Sequence, residues 1–344
     1  MNKTEEKIKC VVWDLDNTIW NGTLLEDANV SIKKEAIEII KELDNRGILQ
    51  SISSKNEYRL AVDKLKEFGI YEFFLYPQIN WAAKSSSLKN IANSLNININ
   101  TFAFIDDQAF EREEVNYTYP EVMCIDANNM SDVLTMPMFQ PRFVTEDSKQ
   151  RRILYMTDIK RKVDEESWDG PSDSYLASLN MKFNIRLATE SDLQRAEELT
   201  IRTHQLNATG YTYSYEELNQ FRTSKKHLLF VSSLEDKFGT YGTIGLTLVE
   251  CNEDRWLIKL LLMSCRVMSR GVGSIMINYL KDKAKKKNVD LFAEFVPTDR
   301  NRMMYMTYKF SNFKEFSKDN NLVVFKCDLH SNVKFPACTE VIAD

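Results

Sequence analysis

The sequence predicts an α/β protein with two domains, and two patterns along the chain carry that prediction. In residues 1–136, short apolar runs alternate with amphipathic stretches of helical length, which is typical of βαβ units in a doubly wound parallel sheet. From about residue 179, apolar runs follow one another before a long helical stretch, which favours an α+β domain with a largely antiparallel sheet. A length of 344 residues accommodates about two domains of ordinary size.

Strands and helices alternate in the predicted first domain. We expect its strands at 8–14, 48–53, 73–76, 101–106 and 121–125. We expect its helices at 33–46, 56–68, 84–95 and 109–117. In a parallel sheet of this kind, ligands bind beyond the carboxyl ends of the strands, so residues at those ends are the first candidates for a site.

The remaining chain is predicted to be a helical connector, 137–178, and a second domain, 179–330. The charged amphipathic helix of the connector is expected to be a solvated strut between the domains. In the second domain we expect helices through 190–222, at 272–287 and from near 300. We expect strands at 182–188, 227–233, 241–250, 255–267, 289–296 and 321–328. Residues 331–344 show little pattern and are expected to be a loosely held tail.

The composition excludes several classes of protein. The chain is 43% hydrophobic and 28% charged, as in ordinary globular proteins, and its net charge of −5 argues against non-specific nucleic-acid binding. It shows neither a secretory signal nor an apolar segment of membrane-spanning length, so we expect a soluble cytoplasmic protein. The six cysteines form no CxxC pair and the three histidines are scattered, which predicts neither structural zinc nor disulfides.

Acidic residues follow two of the predicted strands of the first domain. Asp14 and Asp16 come after the first strand, and Asp106 and Asp107 come at the end of the fourth. Carboxylates this close together stay ionised only where a cation or strong hydrogen-bond donors compensate them. Because Mg²⁺ prefers carboxylate oxygens and water, we expect these four residues to form a magnesium site.

Groups suited to a phosphate stand beside these acids in the predicted fold. Ser54, or Ser53 in the less favoured register, follows the second strand, and Lys84 begins a helix. Thr18 and Asn56 belong to the same two strand-end motifs. A fixed positive charge and a hydroxyl can neutralise a phosphoryl group while a carboxylate attacks it. An Asp-x-Asp pair alone is a common surface pattern, but this ordered set is far more specific and indicates phosphoryl transfer.

The stretches "DLDNT", "SSKN", "NWAAKSSSLKNIA" and "FIDDQAFERE" resemble the four motifs of the haloacid dehalogenase superfamily of phosphotransferases. The resemblance implies that Asp14 is the nucleophile, which forms an aspartyl-phosphate, and that Asp16 is the general acid and base. It also implies that Ser54 and Lys84 hold the phosphate.

The same resemblance implies a ligand set for Mg²⁺. Asp107, helped by Asp106, would hold the ion together with Asp14 and the backbone carbonyl of Asp16. Glu111 stands where many members of the superfamily have an acid that supports the metal site.

The segments that follow the first two motifs are too short for the cap domain that many of these enzymes close over small substrates. An open site favours a substrate presented by a larger body, such as a prosthetic arm on a protein. The alternative is a small phosphorylated metabolite in a site covered by the second domain.

A second candidate site lies where the strand near 256–264 runs through a glycine-containing loop into a helix. Backbone N–H groups at a helix N-terminus bind pyrophosphate, and Gly271 and Gly273 would allow its close approach. The glycines are equally compatible with tight strand–helix packing. Arg266 and Arg270 favour the phosphate interpretation.

This loop resembles the acyl-CoA loop of the GCN5-related N-acetyltransferase (GNAT) fold. Met268 stands where that family has Gln or Arg, a departure that argues against ordinary use of acetyl-CoA. Downstream, "TDRNRMMYMTYKFSNF" resembles the family's last helix and contains Asn301 and Tyr308. The resemblance implies that Tyr308 protonates a leaving thiol, with a buried core tyrosine as the alternative.

Both domains, in this order, resemble the FkbH-like proteins of polyketide biosynthesis over about residues 8–328. Stretches that carry the likeness include "VVWDLDNTIWNGTLLED", "RTHQLNATGYTYSYEEL" and "LLMSCRVMSRGVG". The implied activity takes the glyceryl unit from 1,3-bisphosphoglycerate, removes phosphate, and loads D-glycerate as a thioester on an acyl carrier protein. The implied cofactors are Mg²⁺ and the carrier's phosphopantetheine arm, which would lie along the GNAT-type strand in place of CoA.

Transfer through an enzyme thioester would need a thiolate. Cys265 stands beside Arg266, whose charge would lower the pKa of the thiol, and a packed strand cysteine is the alternative. His204 is a candidate base or a structural histidine, whereas Cys10 is expected in the core. Two other functions stay open: a bifunctional Mg-dependent phosphatase and N-acyltransferase acting on a small sugar or amine, and a C-terminal docking module without catalysis.

Overall fold

A computed structural model describes residues 7–27, 29–330 and 335–343. The chain divides into two compact units, 1–156 (unit 1) and 157–344 (unit 2), and the division falls inside one helix. Within the described part of the chain, no helix combines the length and the apolar composition needed to cross a bilayer.

Unit 1 alternates strands and helices, as the sequence predicts. Its strands are β1 (Cys10–Trp13), β2 (Trp20–Asn21), β3 (Ser31–Ile32), β4 (Leu49–Ser54), β5 (Gln78–Ile79), β6 (Phe102–Asp106) and β7 (Met123–Asp126). Its helices are α1 (Lys34–Asn45), α2 (Tyr58–Glu67), α3 (Lys84–Leu95), α4 (Ala109–Thr118) and α5 (Glu146–Lys149). Helix α6 (Arg151–Glu166) contains the division between the two units.

The main sheet of unit 1 has the order β5-β4-β1-β6-β7, and every neighbouring pair is parallel. This topology confirms the predicted doubly wound parallel sheet. Strand β1 lies at its centre, and all four residues of β1 are completely buried, which explains the uninterrupted apolar run before Asp14. The polar atom of Trp13 is satisfied by Gln50, whose Oε1 accepts from the indole Nε1 at 3.1 Å.

The predicted strand at 73–76 is wrong in position. Tyr71–Phe73 form a 3₁₀ turn, and Leu75 donates one backbone hydrogen bond to β4. Tyr76 then adopts a left-handed conformation (φ 51°), and Pro77 has no N–H for a ladder. The strand therefore begins only at Gln78–Ile79.

Short connections lie at the carboxyl edge of this sheet. Between β1 and α1, the described residues contain only β2 and β3, which pair with each other in antiparallel fashion. Between β4 and α3 they contain α2, one 3₁₀ turn and β5. Neither described segment contains a cap domain, as the sequence predicts.

Unit 2 is an α+β unit. Its strands are β8 (Met181–Leu187), β9 (His227–Asp236), β10 (Gly239–Cys251), β11 (Arg255–Met263), β12 (Asp290–Phe295), β13 (Phe313–Asp319), β14 (Leu322–Cys327) and β15 (Thr339–Ala343). Its remaining helices are α7 (Ser172–Ser178), α8 (Leu193–Arg202), α9 (Tyr215–Thr223), α10 (Val272–Lys287) and α11 (Arg302–Phe310).

The sheet of unit 2 has the order β13-β14-β12-β11-β10-β9-β8-β15 and is antiparallel except for the pairs β11–β12 and β15–β8. The predicted antiparallel character is confirmed, with four differences in detail. The strand predicted at 255–267 ends at Met263, and Cys265–Val267 form a 3₁₀ turn. The helical stretch expected through 190–222 is interrupted at 203–214, between α8 and α9. Strand β13 is absent from the prediction, and so is β15.

Strand β15 lies within the expected tail, whose residues 331–334 and 344 are outside the described part of the chain. Instead of a loosely held segment, Thr339–Ala343 forms an edge strand beside β8. Both missed strands are edge strands with mostly exposed side chains, so neither shows the apolar pattern that reveals a buried strand.

The expected connector contains α5, α6 and α7, and its α6 is not a fully solvated strut. The side chain of Arg161 is 1% exposed and donates to both carboxylate oxygens of Asp236 at 2.8 and 2.9 Å. Its guanidinium lies 3.6 Å from the ring centroid of Tyr241 and also donates to Asp158 at 2.7 Å. These contacts pack the second half of α6 against β9 and β10.

The Arg161→Ala change is expected to lower the stability of unit 2 by about 3–5 kcal/mol, because it leaves the buried carboxylate of Asp236 without its counter-charge. Urea titration of the full chain, followed by hydrogen exchange of β9 and β10 peptides, measures the effect. The matched control is Lys182→Ala, which removes a half-exposed pair with Glu235 and is expected to change stability by less than about 1 kcal/mol. An equal loss of stability in the two variants would contradict the conclusion that Arg161 is the counter-charge of the buried Asp236.

Candidate active site

Three carboxylates meet at the carboxyl edge of the parallel sheet. Asp14 directly follows β1, and its backbone N–H donates to the carbonyl of Ile105 at 2.9 Å, which extends the pairing of β1 with β6. Asp106 ends β6 and Asp107 comes next. One carboxylate oxygen from each of the three aspartates lies within 4.8 Å of the other two. Asp14 and Asp106 are buried, and Asp107 is partly exposed.

Lys84 provides the positive charge of this cluster. It is the first residue of α3, and its side chain is only 3% exposed. Its ammonium pairs with the carboxylate of Asp14, lies 3.1 Å from Asp106, and donates to the carbonyl oxygen of Ser53 at 2.6 Å. The contacts with Asp14 and Ser53 are hydrogen bonds, whereas the contact with Asp106 is an ion pair without hydrogen-bond geometry.

The electrostatics of the cluster show an excess of negative charge. Burial raises the pKa of Asp14 to about 7, with Lys84 acting against this shift and Asp106 adding to it. Burial and the neighbouring Asp106 also raise the pKa of Asp107. For Lys84, burial works against the charged form, but Asp14 and Asp106 outweigh it and raise the pKa. A bound cation would stabilise the ionised carboxylates that Lys84 compensates only in part.

Several buried oxygen atoms around the cluster have no hydrogen-bond partner among the described residues. They are Asp106 Oδ2, Asp107 Oδ1, Thr18 Oγ1, Ser53 Oγ and Asn56 Oδ1. Buried polar atoms are normally satisfied, so such a concentration points to a ligand or ion. Three carboxylates and unpaired oxygens match the preference of Mg²⁺, and the residues that would hold the ion are Asp14, Asp106 and Asp107.

The carboxylate of Asp16 is not part of the cluster and accepts hydrogen bonds from three other donors. Its Oδ1 accepts from the indole Nε1 of Trp20 at 2.8 Å and from the backbone N–H of Leu24 at 3.0 Å. Its Oδ2 accepts from the amide of Asn56 at 2.9 Å. The side chain is therefore fixed in one orientation, as a proton-transfer group requires. Metal ligation by the backbone carbonyl of Asp16 stays a prediction.

The motif around Ser54 contains one residue, Lys55, to which the sequence-based prediction gave no role. Ser54 is buried, and its carbonyl accepts from the backbone of Asn80 at 3.0 Å. The neighbouring Ser53 supplies the unpaired hydroxyl and a carbonyl contact to Lys84. Lys55 forms a 2.6 Å ion pair with Glu111, which accordingly does not join the carboxylate cluster. The lysine inside the quoted motif "SSKN" is the one feature of the sequence that could have indicated an ion pair at this position.

The glycine-containing loop of unit 2 uses only one of its glycines for backbone conformation. Gly271 has a φ of +70° and directly precedes α10. Gly273 lies in the first turn of that helix, where an added Cβ would meet only Thr307 Cγ2, at an ordinary 3.7 Å.

The two arginines assigned to phosphate binding have protein partners. Arg270 is 7% exposed, and it donates to Glu165 at 3.1 Å. Its Nε and Nη1 atoms are buried and have no hydrogen-bond partner within the described ranges. Arg266 donates to the backbone carbonyl of Tyr241 at 2.7 Å. Phosphate binding by both stays a prediction.

The candidate acyl-transfer residues lie close to the ends of elements. Cys265 opens a 3₁₀ turn just after β11 and is half-buried. His204 is exposed and follows α8. Cys10, by contrast, is completely buried, and burial raises the pKa of its thiol, as expected for a core cysteine. The roles of Cys265 and His204 stay predictions.

Asn301 and Tyr308, both assigned to the substrate, are buried in the protein. The side-chain amide of Asn301 donates to the carbonyls of Asn207 at 3.1 Å and Val296 at 2.9 Å. Tyr308 packs with its ring centroid 5.2 Å from that of Phe313, and burial raises the pKa of its hydroxyl. That hydroxyl has no hydrogen-bond partner within the described chain. The packing is that of a core tyrosine, and the proposed proton transfer stays a prediction.

No protein-family model and no curated protein matches the chain. Among solved structures, similarity is found to the N-terminal part of protein BF1531 from Bacteroides fragilis, which contains a phosphatase domain complexed with Mg (27% identity, TM-score 0.37). That match covers 40% of this chain and 42% of the other, so the chain spans less than half the length of that structure.

Other similar structures are N-acetyltransferases. The ribosomal-protein-S18-alanine N-acetyltransferase from Escherichia coli is 14% identical over 42% of this chain and 92% of its own (TM-score 0.34). The PaiA N-acetyltransferase from Thermoplasma acidophilum, in complex with coenzyme A, is 15% identical over 42% of this chain and 98% of its own (TM-score 0.35). TM-scores this low carry no conclusion about activity, which has to be argued from the geometry of the site.

The Asp107→Asn change is expected to weaken Mg²⁺ binding by about tenfold or more, because it removes the charge of one of the three clustered carboxylates. Calorimetric titration of the full chain with Mg²⁺ measures the affinity. Asp132→Asn, at an exposed position after β7, is the matched control and is expected to bind Mg²⁺ as the unchanged protein does. An Asp107→Asn protein with undiminished Mg²⁺ affinity would contradict the metal assignment.

Proposed function

We propose that unit 1 is a Mg²⁺-dependent phosphotransferase that works through an aspartyl-phosphate at Asp14. The observation that carries this proposal is the buried carboxylate of Asp14, paired with Lys84 and within 4.8 Å of Asp106 and Asp107. Lys84 orients and partly neutralises the carboxylate, and the unpaired hydroxyl of Ser53 supplies a polar group for a phosphoryl oxygen.

The reaction proceeds in two displacements. In the first, a carboxylate oxygen of Asp14 attacks phosphorus, and the bond from phosphorus to the leaving oxygen breaks. Asp16 donates a proton to that oxygen where the leaving group needs one. In the second, water attacks the phosphorus of the aspartyl-phosphate, Asp16 takes the water's proton, and phosphate leaves with Asp14 restored. Bound Mg²⁺ supplies positive charge for the phosphoryl oxygens.

We further propose that the whole chain is a glyceryl transferase/phosphatase acting on an acyl carrier protein. A thiolate attacks the C1 carbonyl of 1,3-bisphosphoglycerate, the bond from C1 to the bridging phosphate oxygen breaks, and inorganic phosphate leaves. The product is a 3-phosphoglyceryl thioester, from which unit 1 removes the remaining phosphate. In this proposal Cys265 is the first acyl acceptor, and the phosphopantetheine thiol of the carrier is the second. The exchange between thiols conserves the thioester.

Two features support this proposal. The resemblance to FkbH-like proteins extends over both units of the chain. In addition, the described connections at the carboxyl edge of the parallel sheet contain no cap domain, which favours a substrate carried by a protein.

The alternative function, a Mg-dependent phosphatase joined to an N-acyltransferase for a small sugar or amine, is supported by the same phosphotransferase site. The observation in its favour is the start of α10, where Gly271 precedes the helix and Arg270 retains unpartnered guanidinium nitrogens suited to an anionic donor. Turnover of acetyl-CoA with an amine acceptor would establish it in place of carrier loading.

The deciding experiment incubates the full chain with 1,3-bisphosphoglycerate, Mg²⁺ and holo carrier protein, and measures the intact mass of the carrier. We expect a glyceryl adduct that is absent from the apo carrier, which lacks the thiol. The absence of any adduct would refute carrier loading. A separate assay measures phosphate release from a small acyl phosphate, which we expect to occur if unit 1 is a phosphotransferase, whatever the outcome with the carrier.

In the same assay, Asp14→Asn is expected to leave a 3-phosphoglyceryl adduct on the carrier, because the variant lacks the nucleophile for phosphate removal. The matched control is Asp63→Asn, on the exposed side of α2, which should give the glyceryl adduct. Formation of the dephosphorylated adduct by Asp14→Asn at the unchanged rate would refute the role of Asp14.

A further inference from the structure

Strands β11 and β12 separate part of the way along their length. They pair in parallel from Arg255 and Asp290 to Ile258 and Ala293. Beyond that point β11 continues to Met263, with a shift of register against β10 near Lys259. Such an irregularity bends a strand away from its neighbour. The second half of β11 therefore presents backbone N–H and C=O groups that β12 does not use.

Residues Leu206–Ala208, here called the insert, occupy this opening. The backbone N–H of Met263 donates to the carbonyl of Leu206 at 2.9 Å, and the N–H of Ala208 donates to the carbonyl of Leu261 at 3.0 Å. On the other side, the N–H of Val296 donates to the carbonyl of Ala208 at 3.0 Å. The insert thus joins β11 to the end of β12 as a short strand would. It is buried, with Leu206 at 7% and the other two residues at 0% exposure.

Two buried asparagines hold the insert in place. Asn207 accepts from the backbone N–H of Thr209 at 3.2 Å and of Gly210 at 2.9 Å, which fixes the turn that follows the insert. Asn301, just before α11, donates to the carbonyl of Asn207 at 3.1 Å and to that of Val296 at 2.9 Å. One side-chain amide therefore contacts both the insert and the end of β12.

The resemblance noted above implies an extended phosphopantetheine arm along the GNAT-type strand, in place of CoA, and β11 does not fit that expectation. Such a chain carries amides that need backbone partners along the strand. On this part of β11, the N–H of Met263 and the carbonyl of Leu261 already bond to the insert. Since the insert is buried between the strands, it also fills the space that the chain would occupy.

We infer that unit 2 is closed to CoA thioesters along β11, and that Asn207 and Asn301 are the positioning residues that determine this donor specificity. The inference rests on the backbone pairing of the insert, and it applies equally to CoA and to a carrier's pantetheine arm placed along β11. An acyl donor without pantetheine amides, such as an acyl phosphate, needs none of the groups that the insert occupies.

The test compares the binding of CoA with that of adenosine 3′,5′-bisphosphate, which carries the phosphates of CoA's nucleotide end without pantetheine. Calorimetry on the full chain is expected to show that CoA binds no more tightly than the bisphosphate. Hydrogen exchange of peptides containing 206–208 and 261–263 is expected to stay unchanged on addition of CoA. Tenfold tighter binding of CoA, together with altered exchange in those peptides, would overturn the inference.

The positioning role of Asn301 is tested separately, by hydrogen exchange of the amides in and beside the insert. Asn301→Ala is expected to speed exchange of the Ala208 and Met263 amides by tenfold or more, because the contact joining the insert to β12 is lost. Asn321→Ala is the matched control, since the side chain of Asn321 is exposed and makes only a 3.5 Å contact with the carbonyl of Pro297. Unchanged exchange in a folded Asn301→Ala protein would refute the positioning role. If that variant does not fold, the CoA comparison on the unchanged protein still decides the inference.

Discussion

The ion pairs of Lys84 with Asp14 and Asp106 are the constraint on which unit 1 depends. A buried carboxylate is costly unless a counter-charge lies beside it, and here two carboxylates are almost wholly buried. The counter-charge can reach them only because α3 begins at Lys84 and because β4 supplies the carbonyl of Ser53 as a third partner. The order of the strands and the position at which α3 begins therefore both have to bring Lys84 beside the two carboxylates.

The same constraint suits the chemistry that we propose for the site. Lys84 compensates the buried charge only in part, so the ionised form of the cluster gains from a cation. The unpaired oxygens around the cluster lack partners among the described residues. Asp16 stands outside this charge balance, since its oxygens accept from Trp20, Leu24 and Asn56. Separate environments for two neighbouring aspartates are what a nucleophile and a proton-transfer group require.

Much of unit 1 was predictable because its central strands are buried on both faces. Continuous apolar runs mark such strands, and the carboxyl ends of parallel strands meet at one edge, so Asp14 and Asp106 could be placed together before the structure was known. The sequence could not show that the hydroxyl of Ser53 is buried without a partner among the described residues, because consecutive serines at a strand end look alike. The pairing of Glu111 with Lys55 was equally hidden, since it joins two motifs that had been interpreted separately.

In unit 2, features that depend on contacts between residues far apart in the sequence could not be predicted. Helix α10 was predicted with its observed bounds, because a long amphipathic pattern ended by Gly271 and Asn288 is visible locally. The insert had no such signal, since its conformation depends on residues 261–263 and 296, far along the chain. Arg270 presented the same difficulty: its partner Glu165 lies 105 residues away, so the sequence showed the charge but not its contact.

The most direct test of the central claim is to trap the aspartyl-phosphate. The Asp16→Asn variant would be mixed with a small acyl phosphate and Mg²⁺, quenched, and treated with borohydride, which reduces an aspartyl-phosphate to homoserine. An acyl phosphate has a carboxylate leaving group that needs no proton, so the first displacement should proceed while the second is slowed. Peptide mass spectrometry is expected to find homoserine at position 14. Phosphate release by the unchanged protein, with no reduced residue at position 14 in the variant, would contradict the account.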